Sequence, residues 1–263
     1  MKTAIALLLS LIAAFWQIGV RAAEQDPAQS RAQAHTELGA AYFSTGQLGV
    51  ALEELKEAVK ADSRYAPSYN MLGLVYMELR EFAQAEDNFQ HALDLDAASP
   101  DIHNNYGWFL CQRKRVDEAI KHFFTALKNP LYTTPEKSYL NAGLCSLKIN
   151  DEQNAAEYFL KAFKLRPQQP QAAYYLGELS LKRKDYVEAK KYLAGIPPSE
   201  SAGAKALWLG VRVERKLGNR DAEADYAMQL RKRFPNSPEA QALRNSDYEY
   251  VEFAKPEGQK VVK

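Results

Sequence analysis

Between Ser99 and Ala119 the chain reads SPDIHNNYGWFLCQRKRVDEA. Asn104, Asn105, Tyr106, Trp108 and Cys111 bring amides, aromatic rings and a thiol into one short stretch. Such groups can build a reaction centre, or they can grip a partner through ring area and hydrogen bonds. A reaction centre would need companions elsewhere. The chain has no G-x-x-x-x-G-K phosphate loop, no G-x-G-x-x-G, no G-x-S-x-G and no H-E-x-x-H. Its four histidines, His35, His91, His103 and His122, lack metal-ligand spacing. His103 occupies a place held by Tyr69 and Tyr139 in neighbouring segments, which points to a packed side chain. These observations predict no enzyme, no metal and no cofactor, and leave recognition.

Composition narrows the partner. Lys plus Arg number 34 and Asp plus Glu 33, so nothing favours DNA or RNA. The basic runs Lys182–Lys184 and Arg231–Arg233 lie where helices should end, and cations there complement the helix dipole. The first residues read as an export signal. Lys2 precedes an apolar run beginning at Ala4, and Val20-Arg21-Ala22 fits the small-x-small pattern of a cleavage site. Cleavage after Ala22 is expected. An uncleaved anchor is the alternative, although Ala4–Val20 is only 17 residues and Gln17 interrupts it. No cysteine stands near the cut to accept a lipid, so attachment to the outer membrane stays open while export to a periplasm is expected.

What positions the polar and aromatic groups is a repeat. Gly39, Gly73, Gly107, Gly143, Gly177 and Gly210 are spaced by 34, 34, 36, 34 and 33 residues. Twelve residues after each glycine stands an alanine: Ala51, Ala85, Ala119, Ala155, Ala189 and Ala222. Leu55, Phe89, Phe123, Phe159, Leu193 and Tyr226 follow, and then, in four units, Ala58, Ala92, Ala126 and Ala162. Within one unit, Tyr69, Leu72, Tyr76 and Leu79 recur at helical steps, as do Phe82, Ala85, Phe89, Ala92 and Leu93. Each unit is therefore two amphipathic helices joined by a tight turn. The small residues fall where the helices must approach closely. Pro67, Pro100, Pro135 and Pro170 sit near first-helix starts, where a missing N–H costs nothing.

This pattern resembles the tetratricopeptide repeat (TPR). It implies an all-α, right-handed superhelical solenoid of about six helix-turn-helix repeats. The expected layout is a signal peptide over 1–22, a short lead over 23–31, six repeats over 32–235, a capping helix over 236–247 and a mobile tail over 248–263. Ile196 and Gln229 replace the last small residue in units five and six, so looser stacking is expected there. Two additional residues around NPLYTTPEK predict a longer loop between units three and four.

The TPR resemblance also implies that first helices line a concave groove. In units two to four it would expose Asn70, Leu74 and Met77, then Asn104 and Trp108, then Leu140 and Leu144. The apolar residues would supply area, and the amides register, for a protein segment. Packing of Trp108 against Leu144 between units is the structural alternative. Cys111 and Cys145 stand two repeat positions apart, about 200° around equivalent helices, so they can face each other. A disulfide is expected in an oxidising compartment, with two buried thiols as the alternative.

The export signal, the six units and motifs such as YNMLGLVYMELREFAQAEDNFQHAL, NNYGWFLCQ and LNAGLC resemble the type IV pilus biogenesis and stability family called PilW or PilF. The resemblance implies a periplasm-facing adapter that helps assemble or localise the pilus secretin. Members are commonly lipoproteins, which this leader does not match. A scaffold or chaperone for another envelope complex is the competing expectation.

Overall fold

A computed structural model describes residues 26–196 and 203–251, so the expected signal peptide lies outside the described residues. Among them are thirteen helices and no strand. No helix there is long and apolar enough to cross a membrane. The chain divides into two compact units, with the boundary between Ser68 and Tyr69.

The first unit holds α1 (Pro27–Ser44), α2 (Leu48–Ala61) and the first residues of α3 (Ala66–Glu78). Asp26 caps α1, its carboxylate accepting from the Ala28 N–H at 2.9 Å. Gly39 lets the two helices close. A Cβ there would stand 2.7 Å from Leu55 Cγ. Ala32, Ala51, Leu55 and Ala58 are wholly buried along this seam. Thr36 and Ser68 share a buried hydroxyl hydrogen bond of 2.8 Å.

The second unit continues α3 and adds α4 (Phe82–Leu95), α5 (Pro100–Gln112), α6 (Val116–Ala126), α7 (Pro135–Lys148) and α8 (Glu152–Leu165). It ends with α9 (Pro170–Lys182), α10 (Tyr186–Ala194), α11 (Ala204–Lys216), α12 (Arg220–Arg233) and α13 (Pro238–Arg244). Odd- and even-numbered helices through α12 form successive hairpins, and α13 packs on α11 and α12. The glycine seam recurs. A Cβ on Gly73, Gly107, Gly143 or Gly210 would come within 2.5–2.8 Å of Phe89, Phe123, Phe159 or Tyr226 respectively. Phe89, Phe123 and Phe159 are fully buried as a result.

Unit five departs from the pattern. The side chain nearest a Cβ on Gly177 is Leu209, at 2.8 Å, from the next first helix. The second helix of that unit, α10, has only 9 residues.

Each first helix ends alike. Gly46, Arg80, Lys114, Asn150, Lys184 and Gly218 all have φ between 60° and 76°. The next N–H reaches back to a helix carbonyl, as in Arg115 to Leu110 and Asp185 to Ser180, both 2.9 Å. This is a left-handed helix stop that satisfies otherwise orphaned carbonyls. Four of the six positions carry a side chain where glycine is preferred.

Ser237 caps α13, its Oγ accepting from Ala240 N–H at 3.1 Å. Tyr248 and Tyr250, which the sequence places in a mobile tail, instead pack on the cluster around Trp208 of α11, with the Tyr248 ring stacked on Trp208. Residues 252–263 lie outside the described residues.

Substituting Gly107→Leu should lower stability by roughly 1–3 kcal/mol, because Phe123 and the Ala119 carbonyl leave no room for a Cβ. Urea unfolding followed by circular dichroism measures it. An unchanged midpoint would show that the helices do not meet at this glycine.

Candidate partner-binding site

The Ser99–Ala119 stretch becomes α5, its turn and the start of α6. Ser99 takes the N-cap position without a side-chain capping bond, and Pro100 and Asp101 open the first turn. The four-residue spacing from Asn104 to Trp108 puts both on one side of the helix.

Asn70 and Asn104 do not stand free. They are 8% and 7% exposed and belong to a chain of amides running from α3 through α5 to α7. Asn105 Nδ2 donates to Asn70 Oδ1 at 3.2 Å, and Asn104 Nδ2 donates to Asn105 Oδ1 at 3.4 Å. Asn104 Oδ1 then accepts from Asn141 Nδ2 at 3.1 Å and from Ser138 Oγ at 3.0 Å. The ladder links three successive first helices and satisfies polar groups that burial would otherwise penalise. Its geometry makes Asn70 and Asn104 positioning groups. The sequence had put them forward as ligands for a partner. Asn105 and Asn141, which it passed over, are the half-buried members. They share one repeat position, two residues before Gly107 and Gly143, and that recurrence was the available signal.

The apolar residues divide between two clusters. Leu74, Met77 and Trp108 are half-buried against the core around Phe89, Phe109 and Phe123. Leu140 is buried and Leu144 half-buried in the next cluster, around Phe159 and Leu176. Trp108 therefore packs by one side while part of its ring stays accessible. Lys148 from α7 lies 5.6 Å from the Trp108 ring centroid and donates to Gln112 Oε1 at 2.5 Å. Desolvation beside these groups lowers the Lys148 pKa.

Cys111 and Cys145 meet between α5 and α7. Their Cα atoms are 5.8 Å apart, within the usual disulfide range, and the structure joins the sulfurs across a sequence separation of 34. Two turns earlier on α5, His103 and His122 share a 2.8 Å contact between their Nδ1 atoms, and His103 Nε2 reaches the Ala97 carbonyl at 3.1 Å. Burial, and then the neighbouring His103, lower the His122 pKa to about 4. A His103 Nε2–H donated to Ala97 leaves His103 Nδ1 to accept from His122 Nδ1–H. That arrangement packs a neutral pair between hairpin arms and offers no ligand set. Among the described residues no group of three His, Cys, Asp or Glu side chains could hold a metal.

Sequence models of the tetratricopeptide repeat match residues 32–65, 70–130 and 140–203. The type IV pilus assembly protein PilF of Pseudomonas aeruginosa is 31% identical over 211 residues, covering 80% of this chain and 84% of that protein. The chain belongs to the PilF/PilW family. The solved Pseudomonas aeruginosa PilF structure superposes with a TM-score of 0.74 at 29% identity, spanning 84% of this chain and all of that one. PilW, described as a widely conserved type IV pilus biogenesis factor, gives 0.70 at 30% identity over 81% of this chain and 98% of its own. The PilF/PilW match spans the amide ladder and the Trp108 face, so both lie in the part of the chain that the family shares.

Two substitutions separate positioning from contact. Asn104→Ala should destabilise the chain by about 1–3 kcal/mol, since Asn141 loses its acceptor and Ser138 keeps only the Tyr132 hydroxyl at 3.3 Å. Trp108→Ala should cost less stability than Phe109→Ala, whose ring is fully buried. Urea titrations of the three variants make the comparison. A Trp108→Ala loss equal to that of Phe109→Ala would make Trp108 a core residue and remove it from the partner face.

Proposed function

We propose that the chain is a non-enzymatic adapter for type IV pilus biogenesis, which assists assembly or placement of the pilus secretin by gripping a protein segment along its first helices. The observation that carries the site is the half-buried Trp108 ring, packed on the core that Leu74 and Met77 also cover, with Lys148 5.6 Å from its centroid, beside the amide ladder. The ladder holds three first helices in register, and the accessible ring supplies contact area. The family relationship to PilF supports the pilus assignment. The absence of catalysis in this proposal is consistent with how the reactive groups of the stretch are used. Cys111 is joined to Cys145, and His103 and His122 bond each other.

The working place proposed is the periplasm, reached through a signal peptide over residues 1–22. An oxidising compartment keeps Cys111 and Cys145 joined. Closing a segment of 34 residues would contribute about 3–4 kcal/mol by chain entropy. The bond ties α5 to α7, the helices that carry Trp108 and Lys148, and so stiffens the gripping face.

Deletion of the gene tests the assignment. Surface pili and detergent-resistant secretin multimers should both fall and return with a restored copy. Normal pili and normal multimers in the deletion strain would contradict it. In the restored strain, a non-reduced peptide map of the exported protein should show the 111–145 link, and two alkylatable thiols would refute the bond.

A further inference from the structure

After α13 the chain folds back as a short turn, with the Tyr250 N–H donating to the Asp247 carbonyl at 3.2 Å. This turn lies on α11. The Trp208 indole N–H donates to the Tyr250 carbonyl at 2.8 Å, and Arg212 Nε donates to the Tyr248 carbonyl at 3.1 Å. The Tyr248 ring stacks on Trp208, with centroids 5.8 Å and planes 17° apart, and the Arg215 guanidinium stands 3.9 Å from the Tyr248 centroid. Glu249 lies outward, 3.7 Å from Lys216.

Trp208, Arg212, Arg215 and Lys216 follow the i, i+4, i+7, i+8 pattern of a single helix face. Arg212 is paired with Glu178 and Arg215 with Glu223, so this face offers an indole N–H, a guanidinium N–H and flat ring and guanidinium surfaces, on which the turn lays Tyr248 and Tyr250. The main contacts are two main-chain carbonyls and one tyrosine ring, and none requires that the turn be continuous with α13. The helix side is built independently of the turn. Arg212 Nη1 is fixed by a bidentate contact to Glu178 on α9, at 2.8 and 2.9 Å, with Arg212 8% and Glu178 3% exposed. The register also matters. Trp208 and Arg215 stand two residues before and five after Gly210, as Asn141 and Lys148 stand about Gly143.

We propose that the Trp208–Arg212–Arg215 face is a second peptide-binding site, specific for a tyrosine-bearing turn, and that Tyr248–Tyr250 fills it in cis. The chain's own turn then competes with any partner segment of the same chemistry, and the face opens to a partner only when the turn is displaced.

A synthetic peptide with the sequence of residues 246–252, SDYEYVE, blocked at both ends and fluorescently labelled, is the probe. It is titrated by anisotropy against the intact chain and against a variant that stops at Ser246. The shortened chain should bind it at least tenfold more tightly than the intact chain. Trp208→Phe in the shortened chain, which keeps a ring and loses the N–H, should weaken binding about fivefold or more. Equal affinity for both chains, no binding to a shortened chain that keeps its helical circular dichroism, or indifference to Trp208→Phe would each overturn the proposal. Should the shortened chain not fold, full-length Tyr248→Ser replaces it. There the peptide must bind more tightly than to the unaltered chain, and unchanged affinity overturns the proposal equally. No pilus component enters the assay, so its outcome is independent of the pilus assignment.

Discussion

The structure depends on a missing side chain. Where the two helices of a hairpin cross, glycine on the first lets a Phe, Leu or Tyr on the second lie directly against backbone. At Gly143 a Cβ would come within 2.5 Å of the Phe159 ring, closer than packed atoms tolerate. That approach buries Phe89, Phe123 and Phe159 completely. The rest of each first helix is left to meet the first helices of neighbouring hairpins, and the amide ladder and the Cys111–Cys145 pair bring residues of α3, α5 and α7 together there.

Between first helices the chain uses directional contacts where the hairpin seams use shape. The amide ladder, the Cys111–Cys145 pair and the Glu178–Arg212 ion pair all connect consecutive first helices. Apolar contact alone tolerates sliding, whereas an amide or a bidentate guanidinium is satisfied in one register only. Burial pushes the Glu178 carboxyl upward in pKa while Arg212 opposes it, so the pair holds because both partners are present. These fixed registers hold α5, which carries Trp108, against α3 and α7.

Much of this was legible in the sequence, for a physical reason. A close helix crossing admits only small residues, so Gly107 and Ala119 announce it by identity and spacing. The helix stops were harder to see. Arg80, Lys114 and Lys184 adopt left-handed backbone without the glycine that would have marked them. The amide ladder was half legible. The sequence places Asn70 and Asn104 at groove positions, yet their hydrogen bonds run to Asn105, the residue after Asn104, and to Asn141 and Ser138 on another helix. Gly177 kept its spacing but took Leu209 of the next hairpin as its neighbour, a swap between helices that no within-repeat pattern encodes. The docking of Tyr248 on Trp208 joins residues 40 apart in sequence and had no periodic signal.

The central claim is that a partner engages the side of the first helices bearing Trp108. Photocrosslinking in cells tests it directly, with a benzophenone amino acid placed at Leu144 on α7 or at exposed Asp117 on the second helix α6. The account predicts an adduct with a pilus assembly component from position 144 and none from position 117. Adducts from 117 alone, or none from 144 in a strain that assembles pili, would contradict it.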